Sequence, residues 1–161
     1  MRNIVLARID DRLIHGQVVT AWVKTTSANR ILIADDALMA DTFTRRLLKA
    51  AAPPGIAVDI YGVNDALGFL LQEGGEKENL ILLTKAPQQM ETLINSGVAM
   101  KTIILGGMGA KPGRSRFNKN ISASPEEVKS IRNMVEGGIE ILYQLVPSEV
   151  PVNVKKFLWE G

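Results

Sequence analysis

The 161-residue chain has no cysteine and a single histidine, His15. Without cysteine there can be no disulfide framework, Cys-based zinc site, iron–sulfur cluster or thiol nucleophile. With one histidine, a zinc-protease pair one helical turn apart is impossible within the chain, so any histidine chemistry runs through His15. Aromatics are scarce, with two Trp, two Tyr and four Phe, and no aromatic-and-basic alternation suggests RNA binding. No apolar stretch approaches the roughly 18 residues of a membrane span, and Met1–Asp10 has no apolar core of a signal peptide. A cytoplasmic protein is expected. The sequence pI of about 9.0 arises from only two excess positive charges, too weak a field to indicate a nucleic-acid partner. Length and the lack of any repeat or linker fit one globular domain, residues 1–161.

Short apolar runs alternate with helix-like stretches. Strands are expected over Asn3–Arg8, Arg30–Ala34, Ala57–Tyr61, Asn79–Thr84, Lys101–Gly106 and Ile139–Leu145. Helices are expected over Gly16–Lys24, Asp41–Ala52, Asn64–Gln72, Gln88–Ser96 and Ser124–Glu136. The last begins with a capping box, Ser124 and Glu127 around Pro125, and Gly97 and Gly137 suit helix C-termini. Alternation of this kind predicts an α/β fold, a mainly parallel open sheet with helices on both faces. Continuous runs such as Ile81-Leu82-Leu83 fit doubly covered central strands. In such sheets ligands bind beyond the carboxyl ends of the strands, which singles out the loops Ile9–His15, Asp35–Ala40, Lys85–Pro87 and Gly106–Asn120.

The first of these is dense in chemistry. Between Arg8 and Gln17 lie two arginines, Asp10, Asp11, the only histidine and Gly16. A lone histidine is usually a satisfied polar residue, and a mixed-charge loop can be a solvated cap, with Asp11 accepting helix amides. The alternative is that the imidazole carries a phosphoryl group. Neutral imidazole is a good nucleophile near its own pKa, and a helix N-terminus disfavours its protonated form. Helix amides at Gly16 and Gln17 suit phosphoryl oxygens, Gly16 allows close backbone approach, and Arg12 and Arg8 add charge. Asp10 is suited to holding the tautomer through the nitrogen that does not react. No metal or cofactor is called for.

The run Asn3–Val18, with Arg8-Ile9-Asp10-Asp11-Arg12-Leu13-Ile14-His15-Gly16-Gln17-Val18 at its heart, resembles the opening of the IIB component of the mannose/fructose/sorbose family of the bacterial sugar phosphotransferase system. The likeness continues through Ala34-Asp35-Asp36, Ala52-Pro53-Pro54-Gly55-Ile56, Gly106-Gly107-Met108 and Gly137-Gly138-Ile139-Glu140. It implies a parallel α/β fold and a phosphohistidine at His15, on Nδ1; the residues alone do not choose the ring nitrogen. It also implies a protein-phosphohistidine–sugar phosphotransferase. The phosphoryl group would come from a separate IIA protein and pass to a sugar carried by membrane IIC and IID proteins, which would hold the chain peripherally at the inner membrane face. The sugar is not readable, and homo-oligomerisation is left open.

In the second loop, Asp35-Asp36 reads equally as a helix start and as an acid near the site. The resemblance favours Asp36, in a positioning role. The glycine-rich stretch Gly106–Arg114 fails as a Walker A loop, because Lys111 sits between Ala110 and Pro112, and Pro112 also breaks a dinucleotide fingerprint. Gly106 and Gly107 instead suit a close approach to the first loop. Lys111, Arg114, Arg116 and Lys119 read either as solvated charge or as a face for an acidic or phosphorylated partner. Trp22 reads as packing, and Phe157–Trp159 as a docking terminal segment. The rival to a phosphocarrier is a binding module that holds phosphate or carboxylate without reacting.

Overall fold

The structure, a computed structural model, describes residues 1–159; the last two residues of the expected domain lie outside it. Its strands are β1 (Ile4–Asp10), β2 (Arg30–Ala34), β3 (Ala57–Tyr61), β4 (Leu80–Thr84), β5 (Thr102–Gly107), β6 (Ser115–Asn118), β7 (Ile121–Ala123), β8 (Glu140–Tyr143) and β9 (Val152–Asn153). The helices are α1 (Gly16–Thr26), α2 (Thr42–Ala51), α3 (Val63–Leu71), α4 (Pro87–Asn95), α5 (Pro125–Glu136) and α6 (Lys155–Leu158), with a 3₁₀ helix at Asp36–Ala40. Seven strands form one sheet in the order β3-β2-β4-β1-β5-β8-β9, parallel except for β9 against β8, while β6 and β7 form a separate antiparallel pair.

Alternation along the strands divides the core in two. Leu6, Ile31, Ile33, Ile81 and Leu83 point to one face, where Val19 and Trp22 of α1 and Leu48 of α2 cover them. Ala7, Ile9, Leu32, Leu80 and Leu82 point to the other, under Ala66 and Leu70 of α3, Met90 and Leu93 of α4, and Ile131 and Met134 of α5. Helices thus cover both faces, as the continuous apolar runs require. The chain leaves β1 towards β2 on one side, and β5 is added on the other. A crevice therefore opens between the carboxyl ends of β1 and β5, where the connections diverge.

The six expected strands and five expected helices agree with the structure to within two residues at each end. The difference that bears on the site is at β1, which runs on to Asp10. The carboxylate there reads as loop, yet its backbone is still in the ladder opposite Gly107, and Asp11 N donates to the Gly107 carbonyl at 3.0 Å. The stretch expected as one loop, Gly106–Asn120, contains the end of β5 and all of β6. The capping box at α5 forms, with Glu127 N donating to Ser124 Oγ and Ser124 N to Glu127 Oε1. Gly137 is the C-cap of α5, as expected, and the left-handed residue is the Gly138 that follows it, at φ 99°. At the C-terminus, Phe157 and Leu158 are buried and Trp159 is exposed, with the Arg132 guanidinium 5.2 Å from its ring.

Candidate functional site

Residues 8 and 10 of β1 share a face, so both side chains turn towards α1. Arg8 is 2% exposed. Its Nη1 donates to the Gln144 carbonyl at 3.0 Å, its Nη2 to Asp10 Oδ2 at 3.2 Å, and its guanidinium lies 5.4 Å from the Trp22 ring. It occupies space that exists only because residue 106 is glycine: a Cβ there would stand 2.1 Å from Arg8 Nη2. A Cβ at Gly107 would stand 2.8 Å from Asp10 Oδ1. The close approach expected of these two glycines is therefore present, and its cause is two charged side chains rather than backbone. Arg8 itself departs from the expected phosphate-binding role. It is buried and its guanidinium is engaged with Asp10 and Gln144, so it supports the site from beneath.

Asp10 is fully buried and saturated. Its carboxylate accepts from Arg12 N at 3.1 Å, Arg12 Nε at 3.2 Å and Arg12 Nη2 at 3.3 Å, besides Arg8. Burial by itself would raise this carboxyl, but the hydrogen bonds from Arg12 and His15 and the charge of Arg8 outweigh it and hold the group below its ordinary value. An ionised carboxylate only accepts hydrogen bonds. The 3.1 Å contact between Asp10 Oδ2 and His15 Nε2 is therefore donated by Nε2–H, and in the neutral ring the lone pair is on Nδ1.

The loop is shaped to present that ring. Leu13 N donates to the Asp10 carbonyl, and Leu13 adopts φ 59°, a left-handed conformation that costs about 1–2 kcal/mol for a residue with a Cβ. The side chains of Leu13 and Ile14, 2% and 4% exposed, hold the loop in place by burial in the core beneath α1. His15 then stands at the N-cap of α1 with its side chain 22% exposed, and Gly16 follows at φ 46°. No side chain caps α1, and its first turn carries no acidic residue, so the exposed Gly16 and Gln17 begin a helix whose positive end is unneutralised. Arg12, half exposed, stands beside them.

The loop after β5 is tied to this one by a contact the sequence does not announce. Asp11 Oδ2 accepts from Gly109 N at 2.8 Å and from Arg114 Nη1 at 3.1 Å, and Arg114 donates two further bonds of 2.8 Å to Glu127. Arg114 is thus 2% exposed in its side chain rather than a member of an exposed basic cluster. Asp11 caps no helix amide, since it holds Gly109. Together the two loops line a crevice of about 320 Å³ beside Arg12, between β1 and β5. In the second loop the two aspartates are placed differently. Asp36 is exposed and its Oδ1 accepts from Val63 N at 2.7 Å, so it anchors the start of α3 and makes no bond to His15. Asp35 is the buried one.

Residues 4–161 match the family described as the PTS system sorbose subfamily IIB component. The chain belongs to this family. It is 36% identical over 152 residues to the sorbose-specific EIIB component of Klebsiella pneumoniae, covering 94% of this chain and 93% of that one. It is 34% identical over 146 residues to the mannose-specific EIIAB component of Escherichia coli K12, covering 91% of this chain and 45% of that longer protein. The crystal structure of the IIBSor domain of the Klebsiella pneumoniae sorbose permease superposes with a TM-score of 0.93 at 34% identity, over 99% of this chain and 98% of that one. As a sorbose-type IIB component the chain takes part in phosphotransferase-system sugar phosphotransfer and is a transferase, and its fold is the IIB α/β fold. Among the described residues, no helix is long and apolar enough to cross a membrane.

Proposed function

We propose that this IIB component carries the phosphoryl group on Nδ1 of His15. The hydrogen bond between Asp10 and His15 Nε2 carries the reading, because it leaves Nδ1 as the nucleophilic nitrogen at the mouth of an uncapped helix. The donor is a phosphohistidine of a IIA protein, a domain found fused to IIB in the mannose-specific EIIAB relative. The acceptor is a sugar held by membrane IIC and IID proteins, and the chain works at the cytoplasmic face against them. Transfer between two imidazoles makes and breaks only N–P bonds, so alignment and charge stabilisation dominate. Asp10 fixes the ring and its tautomer, with Arg8 supporting Asp10 from below. The exposed part of the Arg12 fork and the Gly16 and Gln17 amides meet the phosphoryl oxygens. Asp36 stays outside this set.

The test is labelling from phosphoenolpyruvate through the general phosphotransferase proteins and a IIA protein. Wild type should gain one acid-labile, alkali-stable phosphate. His15→Gln should gain none while keeping its circular dichroism and melting temperature. A normally labelled His15→Gln protein would overturn the assignment, and a wild type that binds phosphate but takes no label would favour a binding module.

A further inference from the structure

The loops after β2 and β4 bring a second pair of charges to the same edge of the sheet. Ile9 lies opposite Thr84, and Ile33 opposite Leu83. Continuing those registers, Lys85 falls between Asp10 of β1 and Asp35 after β2, with adjacent strands about 4.8 Å apart. Ile33 and Leu83 point towards α1 and α2, so Asp35 and Lys85, two residues further along each strand, share that face with Asp10.

Asp35 is fixed on one side and open on the other. Its backbone N donates to the Tyr61 carbonyl at 2.9 Å, and its Oδ1 accepts from Gln89 Nε2 at 2.7 Å. Gln89 Oε1 in turn accepts from Ala86 N at 2.9 Å, which pins the whole arrangement to the start of α4. Oδ2 is buried and accepts no hydrogen bond among the described residues. It faces Lys85 Nζ across 3.9 Å, with the lysine side chain 40% exposed and the aspartate side chain 6% exposed. That separation is an ion pair too long for a hydrogen bond, on a flexible four-carbon stem. Such a cation is loosely held and free to leave for a stronger anion. Asp10, on its other side, has no need of it, because its oxygens already accept from Arg8, Arg12 and His15.

We propose that Lys85 contacts the phosphoryl group at His15 during transfer and rests against Asp35 between turnovers, a role that builds on the reading of His15 as phosphoacceptor. In the step itself the donor's N–P bond breaks with its electron pair staying on the donor ring. The His15 Nδ1 lone pair forms the new N–P bond, and the Nε2 proton stays in the hydrogen bond to Asp10. Lys85 neither forms a bond nor gives up its proton; its ammonium offsets charge on the phosphoryl oxygens.

Two measurements on the same proteins test this: the rate of label transfer from phosphorylated IIA, and inorganic phosphate binding followed by the His15 ring resonances. Lys85→Ala should slow transfer about tenfold and weaken phosphate binding by a similar factor, the scale of one lost charge-assisted contact. Lys85→Arg should restore most of both, and Asp35→Asn should tighten phosphate binding by freeing the ammonium. Transfer and phosphate binding unchanged in Lys85→Ala would overturn the role of Lys85 while leaving His15 as carrier. A wild type that takes no label, yet binds phosphate in a Lys85-dependent way, would keep the anion contact and overturn the phosphocarrier reading. No label and no phosphate binding would overturn both.

Discussion

Asp10 and Asp35 make an instructive pair. Asp10 ends one buried parallel strand and Asp35 follows another, each points to the α1 and α2 face, and each is under 5% exposed. Asp10 is surrounded by two guanidinium groups, a backbone amide and an imidazole. Asp35 has one amide side chain and a cation beyond hydrogen-bond reach. The difference shows how similar positions on one sheet edge come to serve different ends. A saturated carboxylate is part of the scaffold, and its removal strands the charge beneath it. An unsaturated one holds its cation loosely.

Replacing the two aspartates should separate those roles most sharply. Asp10→Asn leaves the Arg8 guanidinium buried beside a neutral group and should cost about 3–5 kcal/mol, read by urea or thermal unfolding. The same variant should change the acid limb of stability. Asp10 and Glu127 both titrate below the ordinary carboxylate range; for Glu127, burial is outweighed by its bonds from Arg114 and Ser124. A depressed carboxyl contributes stability that is complete above its unfolded pKa of about 4 and is lost as pH falls through the folded value. The wild-type melting temperature should therefore hold from neutral to about pH 5 and fall below it, and Asp10→Asn should flatten that fall. An unchanged acid limb would mean that Asp10 is not held ionised.

Two glycines sharpen the same lesson at a smaller scale. Gly106→Ala pushes a methyl into the Arg8 guanidinium and should destabilise by about 1–3 kcal/mol, as overpacking does. Gly68→Ala, in the interior of α3 with nothing within 4 Å of the added carbon, should stabilise by about 0.4–1 kcal/mol. Equal effects in thermal melts would show that the Arg8 slot relaxes. The smallest change is expected from Asp35→Asn, within about 1 kcal/mol, because the lost partner is a weak ion pair. A loss comparable to Asp10→Asn would make Asp35 a scaffold residue and erase the contrast.

Much of this was legible in the order of residues. The periods of the apolar runs give the strands and helices, and the charges gathered around the only histidine mark the loop. What could not be read has a common cause, which is partnership across the sheet. Arg114 looks like solvated charge until Asp11, 103 positions away, and Glu127 are seen to close on it. Arg8 looks like a phosphate ligand until Gly106 is seen to admit its side chain to the interior. Asp36 has the better family likeness, but a single amide, Val63 N, draws it to α3 and leaves Asp35 facing inward. Local pattern predicts where a side chain starts, and the neighbouring strand decides where it ends.

The slot at residue 106 has a consequence for anyone wishing to move this chemistry elsewhere. Arg8 reaches Asp10 only by passing through the volume where another residue would keep its Cβ, and it is held there by the carbonyl of Gln144. The segment from Arg8 to His15 is therefore not a portable cassette. Grafted onto another parallel sheet it would bring the histidine but not the floor beneath it, unless the adjoining strand surrendered one side chain and the next offered a carbonyl.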